Sequence, residues 1–485
     1  MARIVKTINE PVLKRTARRC RERGIVIPTF QQMRHPDTAP AAVQARLPQV
    51  ALWAVDPANL FRITWKNDPD SGLFGGPNYL EIPSAITGVK ARIIGLVGKY
   101  FPTGAHKVGA AFACLVPRLV SGEFDPDHHK AVWPSTGNYC RGGAFDSAVL
   151  GCTAIAILPE NMSRERFTWL AEIGSQVIAT PGCESNVKEI YDKCWELKAD
   201  PQYMVFNQFE EFGNPVWHYN VTGPAVADAF QALAVPGARL AGYVSATGSA
   251  GTIAAGDYLK TLHPGAKTIA TEAFQCPTLL MNGFGDHRIE GIGDKHVPWV
   301  HNVRNTDAVA AIDDEDCMRV LRLFNEPAGQ AYLASLGVDA ATVAKLGLLG
   351  ISGICNLLAA IKAAKYWELN EHDVICTIFT DSVEMYRSRL EEQTALHGPF
   401  TPADAARAHT GSLERQGVDH FKELTFPEKK AIHNLKYYTW VEQQGKTYEE
   451  ICAQWQSEYW TELFTEEADA IDRLIVQFNA EVARS

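Results

Sequence analysis

No stretch of this 485-residue chain is apolar for long enough to span a membrane. Its 11 cysteines include no CxxC pair and no cluster with zinc-ligand spacing. Most sit in apolar stretches, as Cys114, Cys152 and Cys376 do, which fits reduced thiols in a cytoplasm and not a disulfide framework. The formal charge is −10, and no basic tract is dense enough to hold nucleic acid. The opening "MARIVKTINEPVLKRTARRCRERG" is basic but lacks the apolar stretch of a signal peptide. It reads as a charged surface helix, with a transit peptide as the alternative. Internal repeats and low-complexity linkers are also missing. Metal, membrane and nucleic acid therefore drop out as expected partners, and a small molecule remains.

What is present is ample apolar content, 46%, in a chain too long for one ordinary core. Residues 1 to about 80 are Pro-rich and irregular after the first helix. The middle alternates short apolar strands with amphipathic helices. Strands are expected at 130–135, 153–158, 176–180, 240–246, 267–273 and 373–380. Helices are expected at 163–174, with Ser163 as N-cap, at 185–197, from Thr252 and through "GISGICNLLAAIKAAKYWEL". That alternation means parallel sheets covered on both faces. After about residue 392 the strands are expected to stop. "TYEEICAQWQSEYWTELF" (447–464) reads as one helix opened by a Thr447/Glu450 capping box. Ile451, Trp455, Tyr459 and Leu463 fall near one face of it, as core or as subunit contact.

Four segments carry the chemistry. "FPTGAHKVGA" (101–110) sets Lys107 at the mouth of a helix of small, buried residues. A lysine there either snorkels to solvent or is kept in a pocket for its amine. "PSTGNYCRGG" (134–143) ends a strand and opens a helix, whose free N–H groups suit a carboxylate. "SATGSAGTIAAG" (245–256) does the same with residues small enough to close on a phosphate. It has neither the Gly-Lys-Ser/Thr of a Walker A loop nor G-x-G-x-x-G spacing. "FTDSVEMY" (379–386) places polar groups at the carboxyl end of a buried strand, where open parallel sheets bind ligands. A phosphate cradle, a carboxylate cradle and a sequestered lysine together describe a pyridoxal phosphate enzyme acting on an amino acid.

These motifs, in this order, resemble the cysteine synthase and cystathionine β-synthase family of pyridoxal phosphate enzymes. "PTGAHKVGAA" resembles the family's lysine segment, its Gly-Ala-His-Lys being close to the version in tryptophan synthase β subunits. "PSTGNYCRGG" resembles its substrate loop, and "TGSAGTIAAG" stands in place of its phosphate loop. "LPENMSRERFTWLAEIGSQVIATPG", "QFEEFGNPVWHYNVTGP", "IEGIG", "GISG" and "TDSVEMY" follow in register, so the resemblance spans roughly residues 80 to 392. It implies an α/β tryptophan-synthase-β-like fold of two parallel-sheet, three-layer domains. The expected limits are an irregular N-terminal extension over 1–80, a smaller domain over 81–222, a larger one over 223–392 and a helical appendage over 393–485.

The resemblance also implies residue roles. Lys107 holds pyridoxal 5'-phosphate as a Schiff base and acts as the catalytic base. Asn138 bonds the cofactor's ring hydroxyl oxygen. Ser135, Thr136, Gly137, Asn138 and Tyr139 hold the substrate carboxylate. Gly248, Ser249, Ala250, Gly251 and Thr252 cup the phosphate, with His106 as a further contact. Ser382 faces the pyridine nitrogen. Arg141 either pairs with an acidic substrate group or is a surface arginine, and Cys140 is either a reactive thiol or a small buried residue. A neutral hydroxyl at the ring nitrogen favours loss of a β leaving group, whereas Asp381 there reverses the argument. Strand alternation lets only one of the two face the ring. The implied reaction is β-elimination or β-replacement on a serine- or cysteine-derived amino acid through an aminoacrylate, in a cytoplasmic homodimer. A serine/threonine dehydratase-type ammonia-lyase and a non-catalytic family member are the alternatives.

Overall fold

The computed structural model describes residues 4–135, 137–182, 187–233 and 235–484, with residue 187 described in its backbone alone. Its strands are β1 (Tyr79–Ile82), β2 (Arg92–Val97), β3 (Lys130–Pro134), β4 (Thr153–Pro159), β5 (Gln176–Thr180), β6 (Tyr203–Val205), β7 (Arg239–Ala246), β8 (Lys267–Ala273), β9 (Ala308–Ile312), β10 (Asp373–Phe379) and β11 (Phe421–Glu423). They form a four-stranded sheet, ordered β5-β4-β3-β6, and a seven-stranded sheet, ordered β1-β2-β10-β7-β8-β9-β11. The smaller sheet is wholly parallel. The larger has a parallel centre from β2 to β9 and antiparallel edges at β1 and β11.

The apolar runs are explained by burial on both faces. Along β10, Val374, Cys376 and Ile378 point into one core, whereas Ile375 and Phe379 point into another. Along β3 and β4, Ala131, Trp133, Ala156 and Leu158 join the first of these cores, and Val132, Ile155 and Ile157 form a separate one behind the smaller sheet. The first core therefore lies between the two sheets, and the helix Lys107–Ser121 runs through it with every residue buried except Arg118. Gly142, on the helix Asn138–Leu150, lets the two helices approach: a Cβ there lies 2.7 Å from the Val108 Cα.

The fold departs from the sequence expectations in four places. Strands do not stop at 392, because Phe421–Glu423 pairs antiparallel with β9 and closes that edge. The larger sheet takes β1 and β2 from residues 79–97, since the apolar β2 pairs with β10 over its whole length. The segment 447–464 is not one helix. Its capping box forms, but the helix Tyr448–Ala453 stops before a second, Ser457–Glu462, because Gln454 is buried and its Oε1 accepts from Lys436. Ile451 and Leu463 are buried there with Trp460, whereas Trp455 and Tyr459 are half-buried. Ser163 stands at its N-cap position without a side-chain cap bond, and its backbone N–H instead donates to Glu290 Oε2 at 3.4 Å. No single helix among the described residues is long and apolar enough to cross a membrane.

Candidate active site

A narrow cleft opens at the carboxyl ends of β3, β7 and β10. Its walls carry Lys107, His106, Ser135, Asn138 and Tyr139 from the smaller-sheet side, and Gly248, Ala250, Thr252, Asn356 and Thr380 from the larger. Lys107 does not snorkel: the residue is 9% exposed and its Nζ lies 2.9 Å from Ser249 Oγ. Gln208 Oε1 stands 3.5 Å from the same amine. Burial pulls the lysine down to about 8, and among the described residues no carboxylate is close enough to hold the proton on.

The 248–252 turn follows β7 and leads through a 3-10 turn into the helix Ala254–Leu262. Ala250 takes a left-handed conformation, φ +59°, which ordinarily costs a residue with a Cβ. At Gly251 a Cβ falls 2.0 Å from Asn214 Oδ1, so the turn can close on Asn214 only with glycine there. Asn214 Nδ2 donates to Ser249 Oγ at 3.0 Å and to the Gln208 carbonyl at 3.0 Å, tying the turn to the loop after β6. Below the turn lies a neutral histidine pair. Thr252 Oγ1 is 3.4 Å from His106 Nε2 and 3.5 Å from His218 Nε2, and burial holds both rings well below the usual histidine range. Thr222 Oγ1 joins His218 Nδ1 to Trp65 Nε1, and the Trp65 ring stacks on His106.

Facing the turn, Ser135 Oγ accepts from the Gly137 N–H at 3.1 Å and from Gln208 Nε2 at 3.3 Å. Thr136 lies outside the described residues. Asn138 opens its helix with Nδ2 donating to Asp381 Oδ2 at 2.7 Å. Arg141 is neither on the surface nor free for a substrate: it is 2% exposed, donates to Asn138 Oδ1 and the Thr103 carbonyl, and lies over the Trp169 ring. Its place is behind Asn138. Tyr139 borders the cleft, but its hydroxyl stands beside Cys114 in the lysine helix. Cys140 is the small buried residue, with its thiol on the Gly137 carbonyl and pushed up to about 12 by burial.

At the end of β10 the side chains alternate. Asp381 turns to Asn138 and to the Tyr386 hydroxyl, 2.7 Å away, and burial pushes its carboxyl up against the pull of Arg166. At this end of β10 the hydroxyl lining the cleft is that of Thr380 and not of Ser382. Ser382 is buried one step further on, where its carbonyl accepts from Met385 and starts the next turn.

Gln208, Asn214, His218, Trp65, Thr380 and Asn356 were not singled out by residue in the sequence. For the first three the signal was the "QFEEFGNPVWHYN" stretch itself, read as a motif and not residue by residue. Asn356 had only its isolation in an apolar helix as a clue.

The cleft fits pyridoxal phosphate on its own terms. It offers a buried amine of lowered basicity, a tight small-residue turn at a strand end, and a buried Asn356 Oδ1 that has no donor from the described residues.

A family model described as "Pyridoxal-phosphate dependent enzyme" matches residues 99–381. A cysteine synthase of Staphylococcus aureus is 27% identical over 317 residues, covering 65% of this chain and 94% of that protein. Cystathionine beta-synthase of Saccharomyces cerevisiae is 27% identical over 319 residues, 64% of this chain and 59% of that longer protein. Among solved structures, O-acetyl serine sulfhydrylase isoform 3 from Entamoeba histolytica shares the fold with a TM-score of 0.57 at 22% identity, over 72% of this chain and 98% of that one. The O-acetylserine dependent cystathionine beta-synthase of Helicobacter pylori gives 0.54 at 23% identity, over 64% and 94%. One family model thus covers more than half of the sequence, cleft included, and the chain belongs to the pyridoxal-phosphate-dependent enzymes, with pyridoxal phosphate as its cofactor.

Proposed function

We propose that this enzyme carries out β-replacement or β-elimination on a small α-amino acid derived from serine or cysteine. The observation that carries the reading is the Lys107 amine, buried, drawn down to about 8 and resting on Ser249 at the mouth of the cleft. Pyridoxal phosphate, when bound, supplies the electron withdrawal that makes the amino acid's Cα proton acidic. Lys107 is the group that would hold it, with the 248–252 turn and Thr252 on its phosphate and Asn138 at its ring. The protein's own part is acid–base work and positioning. A neutral Lys107 accepts the Cα proton, and the electron pair left behind expels the β leaving group. Ser135, the Gly137 N–H and the Gln208 amide form the polar wall for the substrate carboxylate. Buried walls keep water from the reacting carbon. The names of the relatives support this reading, since those cited are sulfur amino-acid synthases.

The test is a panel of serine and cysteine derivatives, each given with and without sulfide or a thiol. The expected result is a new thioether or thiol amino acid that needs both reactants. Keto acid formed without thiol from a derivative with a good leaving group is the elimination form of the same reading, whereas keto acid from serine or threonine themselves favours the ammonia-lyase alternative. No turnover of any serine or cysteine derivative by protein carrying its cofactor overturns the proposal.

A further inference from the structure

A groove of about 350 Å³ lies outside the cleft and shares no lining residue with it. One wall is the turn His218–Thr222 and the helix Ala254–Leu262, and the other is the helix Ser457–Glu462 of the C-terminal region. Small molecules bind in grooves of this size, on apolar surface with a few fixed charges. The apolar surface here is aromatic. Tyr219 stacks on Phe464 with ring centres 4.6 Å apart, and Trp460 Nε1 is spent on the Gln454 carbonyl. Two charges line the same groove, Asp257 and Arg304. Asp257 Oδ1 accepts from Asn302 Nδ2 at 3.3 Å and from Asn305 Nδ2, whereas Oδ2 is buried with no donor among the described residues. Lys260, one turn along, is committed elsewhere: its Nζ donates to the Asn305 carbonyl at 2.7 Å and pairs with Asp307. Burial pushes the Asp257 carboxyl up to about 6, so at neutral pH it is largely ionised and poorly compensated. Arg304 gives Nη1 to the Trp455 carbonyl and has no ion-pair partner among the described residues. Glu458, the acid on the facing helix, accepts from Ser457 Oγ instead.

The groove thus holds a carboxylate short of a cation, a guanidinium short of an anion and a wall of aromatic rings. A simple amine satisfies Asp257 but meets Lys260 and Arg304 as like charges. A simple carboxylate satisfies Arg304 and leaves Asp257 bare. A zwitterion answers both. We propose that the groove is a binding site for a free α-amino acid with an apolar or aromatic side chain, its ammonium on Asp257, its carboxylate on Arg304 and its side chain against Tyr219, Trp460 and Phe464. The site stands apart from the reaction in the cleft, since no step of that chemistry enters it. Its position still links it to the cofactor region. The helix that carries Asp257 leads out of the phosphate turn, and the turn that carries Tyr219 begins at His218, 3.5 Å from Thr252.

Isothermal titration calorimetry on borohydride-reduced holoenzyme reads the groove alone, because reduction leaves no imine in the cleft for an amino acid to attack. The molecules titrated are L-phenylalanine, L-methionine and L-leucine. The N-acetyl derivative of each lacks the ammonium, and the amide of each lacks the carboxylate. Saturable binding of at least one parent amino acid is expected, with both of its derivatives weaker by about tenfold or more. Asp257→Asn should weaken the parent by a similar factor. So should Thr461→Trp, which fills the groove from an exposed position. Ser135→Ala, in the cleft, should leave this binding unchanged. Failure of all three amino acids to bind overturns the proposal. Binding that survives Thr461→Trp, or is lost in Ser135→Ala, also overturns it by placing the molecule elsewhere. An amide that binds as tightly as its parent overturns the zwitterion assignment, whether or not either groove variant folds. A cofactor that borohydride does not fix counts against Lys107 and not against the groove, which unreduced protein still reports through the Thr461→Trp comparison.

Discussion

At the scale of single residues, the chemistry turns on what burial does to Lys107. Below about 8 the amine holds its proton and cannot attack an aldehyde, and above it the free base is present. Capture of pyridoxal phosphate by cofactor-free protein should therefore speed up roughly tenfold per pH unit on the acid side and level off above about 8. Stopped-flow absorbance checks this, and a rate still climbing steeply at pH 10 contradicts it. Ala250 tests the strain in the phosphate turn. Ala250→Gly removes a left-handed alanine, and after the extra chain entropy of glycine it should leave stability within about 1 kcal/mol of wild type, on the stabilising side. Urea unfolding with cofactor absent measures it. Much of this site was legible in the sequence. Small residues at strand ends mark a backbone cradle, and a lysine at the mouth of an apolar helix either snorkels or sits in a pocket, a choice that burial of Lys107 settles. Gln208, Asn214 and Asn356 escaped because a lone amide has no periodicity. Its role is set by the bond partner the fold brings to it, such as the Ile378 carbonyl twenty-two positions on.

At the scale of elements, the two sides of the cleft are tied by one buried chain of charges. Glu290 lies between Arg389, 2.6 Å away, and Arg166, 3.3 Å away. Arg166 donates to the Tyr386 hydroxyl, which donates to Asp381, which in turn accepts from Asn138. Alongside, Glu165 accepts from the Ser388 N–H and hydroxyl, docking the helix Arg164–Glu172 on the start of the helix Arg387–His397. Glu290→Gln removes the carboxylate 3.3 Å from the fully buried Arg166 and should cost about 3–5 kcal/mol. The urea midpoint reads the cost, and cofactor fluorescence reads whether Asn138 has moved with it. A loss below about 1 kcal/mol contradicts a buried role for the pair. β3, β4, β7, β8 and β10 were legible because both faces are buried and the runs are largely apolar, whereas β1, β2, β6 and β9 were not singled out. β11 was not, since only Phe421 of its three residues is buried and its pairing with β9 is a tertiary event.

At the scale of the whole molecule, the segments outside the matched span, 99–381, are part of the body. Trp65 stacks on His106 beneath the phosphate turn, and the helix Ala468–Arg484 packs against the lysine helix and the first helix of the chain, Glu10–Glu22. Lys436 is the clasp of the C-terminal region. It is wholly buried, and it donates to the Trp299 and His301 carbonyls and to Gln454 Oε1. Lys436→Met removes donors from three buried acceptors and should destabilise by at least about 3 kcal/mol. Chain ended at residue 392 should fail to fold, because Trp299 and the edge of β9 lose their cover. Soluble, cofactor-binding protein from that truncation contradicts the integral role. The most direct measurement of the central claim is borohydride reduction of the holoenzyme followed by peptide mass mapping. The account predicts a pyridoxyl-phosphate mass on the peptide bearing Lys107 and its disappearance in Lys107→Arg. The label on another lysine, or none at all, contradicts it.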